Sequence, residues 1–253
     1  AATPFPIGAY SSCELPVPAP NILLSEIVVT PTGGEFIEIH NPTGVAVDLT
    51  DVYLTDATFA GGGTYYYNIV TGTNAGGGSF GDFHARFPSG ASIAPGEFQT
   101  IAIAGSDAFA TEYGFNPDYE LFEDSGSADA IPDMLEALPG SINGQGGLTN
   151  GGEVAVLYTW DGNADLVRDI DYVVWGDKDE AVDKSGVGID GPDADNDPSF
   201  YAFETPIVDQ DVVALAAHAT GDSFQRLDFT EGTEAGGSLA QRGASRTADE
   251  LDH

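Results

Sequence analysis

The chain has 253 residues, and its 7 Lys and Arg stand against 41 Asp and Glu, a formal net charge of −34 at pH 7. Such a polyanion repels nucleic-acid phosphates and anionic membrane surfaces, so neither is an expected partner, and no stretch reaches the roughly 18 apolar residues of a membrane span. The single cysteine, Cys13, excludes an intrachain disulfide and a cysteine-ligated zinc cluster, while 42% apolar residues leave ample material for a core.

In chain order, residues 1–20 hold five of the fifteen prolines and read as an extended arm, since proline bars both a helix and a central strand. The arm is expected to dock on a neighbouring copy, giving a homo-oligomer or polymer with Cys13 near the contact, with an arm wrapped on its own domain as the alternative. The start Ala1-Ala2-Thr3-Pro4 suits a processed mature end, so the expected location is extracellular or cell-surface. From residue 21 the pattern is β: NILLSEIVVT (21–30), a turn at Pro31–Gly34, then EFIEIH (35–40), with Ile37 and Ile39 on one face and Glu38 and His40 on the other. VAVDL (45–49) and VYLTD (52–56) follow a turn at Asn41–Gly44, and TYYYNIV (64–70) reads as a strand between two glycine clusters. After the strand EFQTIAIA (97–104) comes the one short helix, SDAFATEYG (106–114), with Ser106 as its cap and Gly114 at its end. Residues 116–148 are irregular and acidic. Strands return over 148–160 and 165–177; in the latter Ile170, Tyr172 and Val174 share one face and Asp169 and Asp171 the other. An acidic segment spans 177–204, SFQRLDF (223–229) is the last strand, and 231–253 is an acidic tail. Turns every 8–12 residues predict one all-β domain over 21–230.

The chemistry is sought among the carboxylates. In DADNDPSFYAFE (193–204) Asp193, Asp195, Asp197 and Glu204 occupy places 1, 3, 5 and 12 of a calcium loop, the Ser199 carbonyl suits place 7, and Asp190 adds one more oxygen ligand. Pro198 stands where that loop needs glycine and no helices flank it, so an EF-hand is rejected. What remains is a looser calcium site on a β scaffold, with a plain solvated acidic loop as the alternative. Asp161, Asn163 and Asp165 form a second, weaker candidate. The surplus of negative charge favours calcium or screening salt in either case. No G-x-S-x-G, H-E-x-x-H or phosphate-loop pattern is present, and His40, His84, His218 and His253 are not spaced as a metal pair. Asp82, His84 and Arg86 alternate and read as a surface ion-pair cluster, with an acid–base centre as the alternative. No catalytic activity is expected.

Several ordered motifs carry a resemblance: Glu26, Phe36–Pro42, Val47-Asp48-Leu49 with Leu54 and Asp56, Pro95–Glu97, Gly151–Val154, Trp175-Gly176 and Ser223–Arg226. Together they resemble the lamin-tail-domain family, in particular its secreted bacterial members, over roughly residues 21–230. The resemblance implies an immunoglobulin-like β-sandwich with long loop insertions and one short helix, acting as a structural or interaction module. The expected function is therefore a non-enzymatic extracellular structural protein, a self-associating surface or filament subunit stabilised by calcium. The alternative is a module that binds a glycan or surface ligand through exposed aromatics at Tyr65–Tyr67.

Overall fold

β-Branched and aromatic residues dominate the runs that become strands, and two such sets of strands stack. The computed structural model describes residues 21–126, 128–227 and 229; the expected arm (1–20), Cys13 and the acidic tail (231–253) lie outside the described residues. The strands are β1 Leu23–Val28, β2 Phe36–His40, β3 Val47–Asp48, β4 Val52–Thr55, β5 His84–Arg86, β6 Ser92–Ile93 and β7 Phe98–Ala102. They continue as β8 Tyr119–Glu120, β9 Leu135–Glu136, β10 Gly152–Thr159, β11 Arg168–Gly176, β12 Gly188–Ile189, β13 Ser199–Phe200 and β14 Phe224–Gln225. One five-stranded sheet runs β14-β1-β2-β7-β8 and the other β11-β10-β4-β5-β9; β3–β6 and β12–β13 are small pairs. The chain is all-β, as expected, and among the described residues no helix is long and apolar enough to cross a membrane.

Register aligns apolar rows between the sheets. Ile37 pairs with both Ile27 and Ile101 in the first sheet, and Leu54 pairs with both Leu157 and Ala85 in the second. These rows, with Trp175, Val173, Phe83 and Phe87, form the core between the sheets. Each fully buried large aliphatic side chain there contributes roughly 1.5–3 kcal/mol by leaving water.

The second sheet is buried on its other face too. Tyr53, Val154, Val156, Tyr158, Tyr172 and Val174 are covered by Tyr66, Tyr67, Ile69, Val70, Val182 and Tyr201. The stretch expected as a strand at 64–70 is instead a 3-10 helix, Tyr66–Thr71, closed by Gly72 at φ +68°. Its rings decide this: Tyr66 packs on Tyr158 and Tyr67 on Tyr201, which alternation across a strand would not allow. Tyr66 and Tyr67 are buried, and half-buried Tyr65 stacks on Tyr67, so the expected exposed aromatic patch is absent.

The faces of β11 also differ from expectation. A register shift between Leu157 and Tyr158 opposes Asp169 and Asp171 in β11, and such a bulge re-aims the side chains that follow. Ile170 therefore packs between the sheets, whereas Tyr172 and Val174 face the second core. Asp171 bonds the Leu24 N–H and pairs with Arg226 at 2.7 Å on the inter-sheet side. Asp169 turns the other way, to Tyr66 and Lys184. Neither aspartate is exposed.

Helix α1 spans Ser106–Tyr113 and ends at Gly114, φ +79°, as expected. Its cap is not Ser106 but the Asp124 carboxylate, which accepts the N–H groups of Asp107 and Ala108. Phe109 packs edge-on against Phe36, seating the helix on the outer side of the first sheet.

Candidate functional site: an acidic cavity

Four carboxyl groups converge where β4 ends, β5 and β10 begin, and the chain leaves β11. Asp56 follows β4, Asp82 precedes β5, Glu153 lies in β10 and Glu180 follows β11. Asp56 is fully buried; its Oδ1 accepts the Phe83 N–H at 2.6 Å and its Oδ2 has no hydrogen-bond partner. Burial pushes the Asp56 carboxyl well above the usual range, helped by the negative charges of Asp82 and Glu180. Burial also pushes Glu153 up, to about 11, reinforced by its hydrogen bond with Glu180 and by Asp56 and Asp82. Asp82 is raised to about 6 by burial and by Glu180. Among the groups that act on these three carboxyls there is no Lys or Arg. Protons are then the means left to the folded chain for relieving the repulsion.

Asp82 and Glu180 line a cavity of about 710 Å³ that also takes in Phe59, Asn74, Ser79, Phe80, Leu138 and Ser141. One wall is backbone packed on backbone. A Cβ at Gly77 would meet the Ser141 carbonyl at 2.3 Å and one at Gly78 the Gly140 carbonyl at 1.9 Å, and both glycines have positive φ. The glycine cluster at 76–78 is therefore required by close approach. Phe80 is fully exposed and sits at φ +62°, a conformation that aromatic residues rarely adopt.

The Asp82–His84–Arg86 group does not form the expected surface cluster. His84 is fully buried, with Nδ1 against the Ala75 carbonyl and Nε2 against the Tyr158 hydroxyl, and burial pushes its pKa down to about 4. Arg86 pairs with Asp51 at 2.6 Å, and Asp82 alone reaches the cavity. Asp82 lies before β5, bridged to Ser79 across the Phe80-Gly81 turn and so outside the strand that carries His84 and Arg86.

The loop expected to hold calcium is rearranged. Glu204 is buried, its Oε2 accepting the Lys184 N–H and its Oε1 lying 2.7 Å from the Lys184 Nζ. A carboxylate spent on a buried lysine cannot close a loop of exposed aspartates. Ser199 enters β13, and its N–H binds Asp165. Asp195 and Asp197 give their N–H groups to the preceding aspartates, Asp193 and Asp195. The structure instead gathers Asp190 and Asp193 with Asp165 of the second candidate, one oxygen of each within 4.8 Å of the others. Both Asp165 oxygens already accept N–H groups, from Gly191 and Ser199.

Sequence reasoning touched Asp56 and Glu153 only as motif residues and missed Glu180. A usable signal was present: Glu153 opens the otherwise apolar strand EVAVLY, where an acid needs a reason.

No protein-family model matches the chain, and no curated protein matches it. Among solved structures it is similar to one described as a DUF4876 family protein from Bacteroides thetaiotaomicron VPI-5482, at 18% identity and a TM-score of 0.39. The alignment covers 61% of this chain and 53% of that one, so the chain spans about half the length of its structural neighbour.

Proposed function

We propose that the chain is a non-enzymatic extracellular binding module of lamin-tail type, which takes a positively charged group, an ammonium or guanidinium, into the acidic cavity. The observation that carries this reading is a cavity lined by Asp82 and Glu180 and backed by the buried carboxyls of Asp56 and Glu153, with no basic group among the neighbours that perturb Asp56, Asp82 and Glu153. An entering cation replaces the shared protons, and the aromatic residues Phe59 and Phe80 belong to the cavity lining. Support for the lamin-tail type comes from where its motifs fall, since they act as structural pins. Asn41 donates to the carbonyls of Val45, Ile93 and Ala94. Gly176, at φ +73°, leaves only 2.1 Å between a would-be Cβ and the Gly151 carbonyl.

The test is calorimetric titration with 1,5-diaminopentane at pH 7 and low salt, with 1-pentanol as the neutral control. Binding is expected for the diamine alone, weakened at least ~10-fold by Asp82→Asn or Glu180→Gln and by raised salt. Absence of diamine binding to the unaltered chain overturns the reading. The hydrogen-bonded Glu153–Glu180 pair favours one second reading, acid catalysis in which Glu153, its carboxyl pushed up by burial, is the proton donor. Turnover of a glycoside or peptide panel that vanishes in Glu180→Gln would put that reading in place of the first.

A further inference from the structure

The insertion after β8 folds back through carboxylates, and one of them is left incomplete. Glu120 in β8 is fully buried. Its Oε2 accepts the Ser106 N–H at 2.8 Å, and its Oε1 has no hydrogen-bond partner. One oxygen each of Glu120, half-buried Glu123 and exposed Asp129 lie within 4.8 Å of one another. The other two are held in place by their own loop. Glu123 Oε1 accepts the Ser125 N–H at 2.9 Å and hydroxyl at 2.6 Å, and its Oε2 accepts the Asp129 N–H at 3.0 Å. Asp129 Oδ1 accepts the Ile131 N–H and its Oδ2 the Ser106 hydroxyl, at 2.5 and 3.1 Å. The charges acting on Glu120 are Asp129 and Asp133, both negative.

We propose that Glu120, Glu123 and Asp129 bind a Ca²⁺ ion, with water completing its shell. An all-oxygen set with three carboxylates is the chemistry of a hard cation, and calcium tolerates the irregular geometry that an insertion loop supplies. The buried Oε1 is what separates this cluster from an ordinary acidic surface. A carboxylate oxygen removed from water and given no donor calls for a cation. The ion fastens the loop between β8 and β9 to the start of α1, since Ser106 touches both Glu120 and Asp129. This inference is independent of the acidic cavity. The Asp165–Asp190–Asp193 group serves as its internal control.

The experiment uses the full chain stripped with chelator and titrated with CaCl₂ by calorimetry, followed by chymotrypsin digestion with and without calcium. One site is expected, weakened at least ~10-fold in Glu123→Gln and in Asp129→Asn, both outside the core, and changed less than ~2-fold in Asp193→Asn. Calcium is expected to slow cleavage within 121–131 in the unaltered chain and not in Glu123→Gln. Absence of binding, or binding lost in Asp193→Asn and kept in Glu123→Gln, overturns the proposal. So does a Glu120→Gln variant that melts higher than the unaltered chain in chelator while calcium leaves both melting temperatures unchanged, because a proton then satisfies the site.

Discussion

Lys184→Met is expected to destabilise the fold by about 3–5 kcal/mol, the scale for removing one partner from a buried ion pair. Lys184 is 1% exposed and pairs with two buried carboxylates, Asp169 and Glu204, while its Nζ also lies 2.9 Å from the Tyr66 hydroxyl. It sits 5.5 and 5.4 Å from the ring centroids of Tyr66 and Tyr201, which adds cation–π attraction in a site shielded from water. Removing the ammonium leaves two carboxylates facing each other in the second core, and neither has a route to solvent. Urea melts read at pH 7 check the loss. The triple change of Lys184→Met, Asp169→Leu and Glu204→Met is expected to recover most of it, because the cost comes from stranded charge rather than lost volume. A single variant within about 1 kcal/mol of the unaltered chain would show that Lys184 is not the counterion of this core.

The second large effect is on pH. In the divalent-free chain, stability is expected to fall by at least about 1.4 kcal/mol per pH unit between pH 6.5 and 9. The sign follows from which state holds the proton. Glu153 keeps its proton in the folded state to about 11, whereas the unfolded carboxyl has released it by roughly pH 4.3. Over that interval the folded chain binds more protons, so raising the pH favours unfolding. Asp56, also raised, acts in the same direction. Glu35, pushed up to about 7 by burial, and Asp82, at about 6, add to the decline only at the lower end. His84 works the other way: its folded pKa of about 4 lies below the imidazole value of roughly 6.5, so its contribution is complete above pH 6.5 and is lost as pH falls toward 4. The window above pH 6.5 therefore isolates the carboxyls. Melting temperatures across pH 6.5–9 measure the slope, and Glu153→Gln is expected to reduce it by about one proton and to stabilise the chain at pH 8. A melting temperature that rises across this window would contradict the assignment.

The pattern of strands was legible because strand alternation and turn chemistry are local. Ile37 with Ile39, the Pro95-Gly96 turn and the Gly114 helix end all fall where their residues predict. What escaped was the second buried face. A strand covered on both sides loses its alternation, and only a distant partner reveals it: Asp169 faces Lys184, 15 residues on, and Tyr66, 103 residues back. The segment 64–70 illustrates the same limit in reverse, for aromatic residues with high strand preference, Tyr66 and Tyr67, were recruited into a 3-10 turn by rings elsewhere. The candidate site was half visible. Spacing pointed to Asp193 and its neighbours because a loop motif is written in consecutive residues, whereas the carboxyl cluster at and behind the cavity draws Asp56, Asp82, Glu153 and Glu180 from four separate parts of the chain.

The Asp171–Arg226 pair has a consequence for the margin of the first sheet. Strand β14 continues along β1 as far as the Arg226 N–H, which binds the Ser25 carbonyl. Beyond it the side chains take over. The Asp171 carboxylate accepts the Leu24 N–H at 2.6 Å and the Arg226 Nε donates to the Leu24 carbonyl at 3.0 Å, one acceptor and one donor presented as a strand would present them. The salt bridge is a forged peptide unit, and it seals the margin of the first sheet where an open strand would invite another chain. Along β11, the outer strand of the second sheet, the Val174 carbonyl and the Gly176 N–H are taken in turn by the Val213 N–H and the Ala214 carbonyl, so strand addition there meets a margin already capped at its C-terminal end.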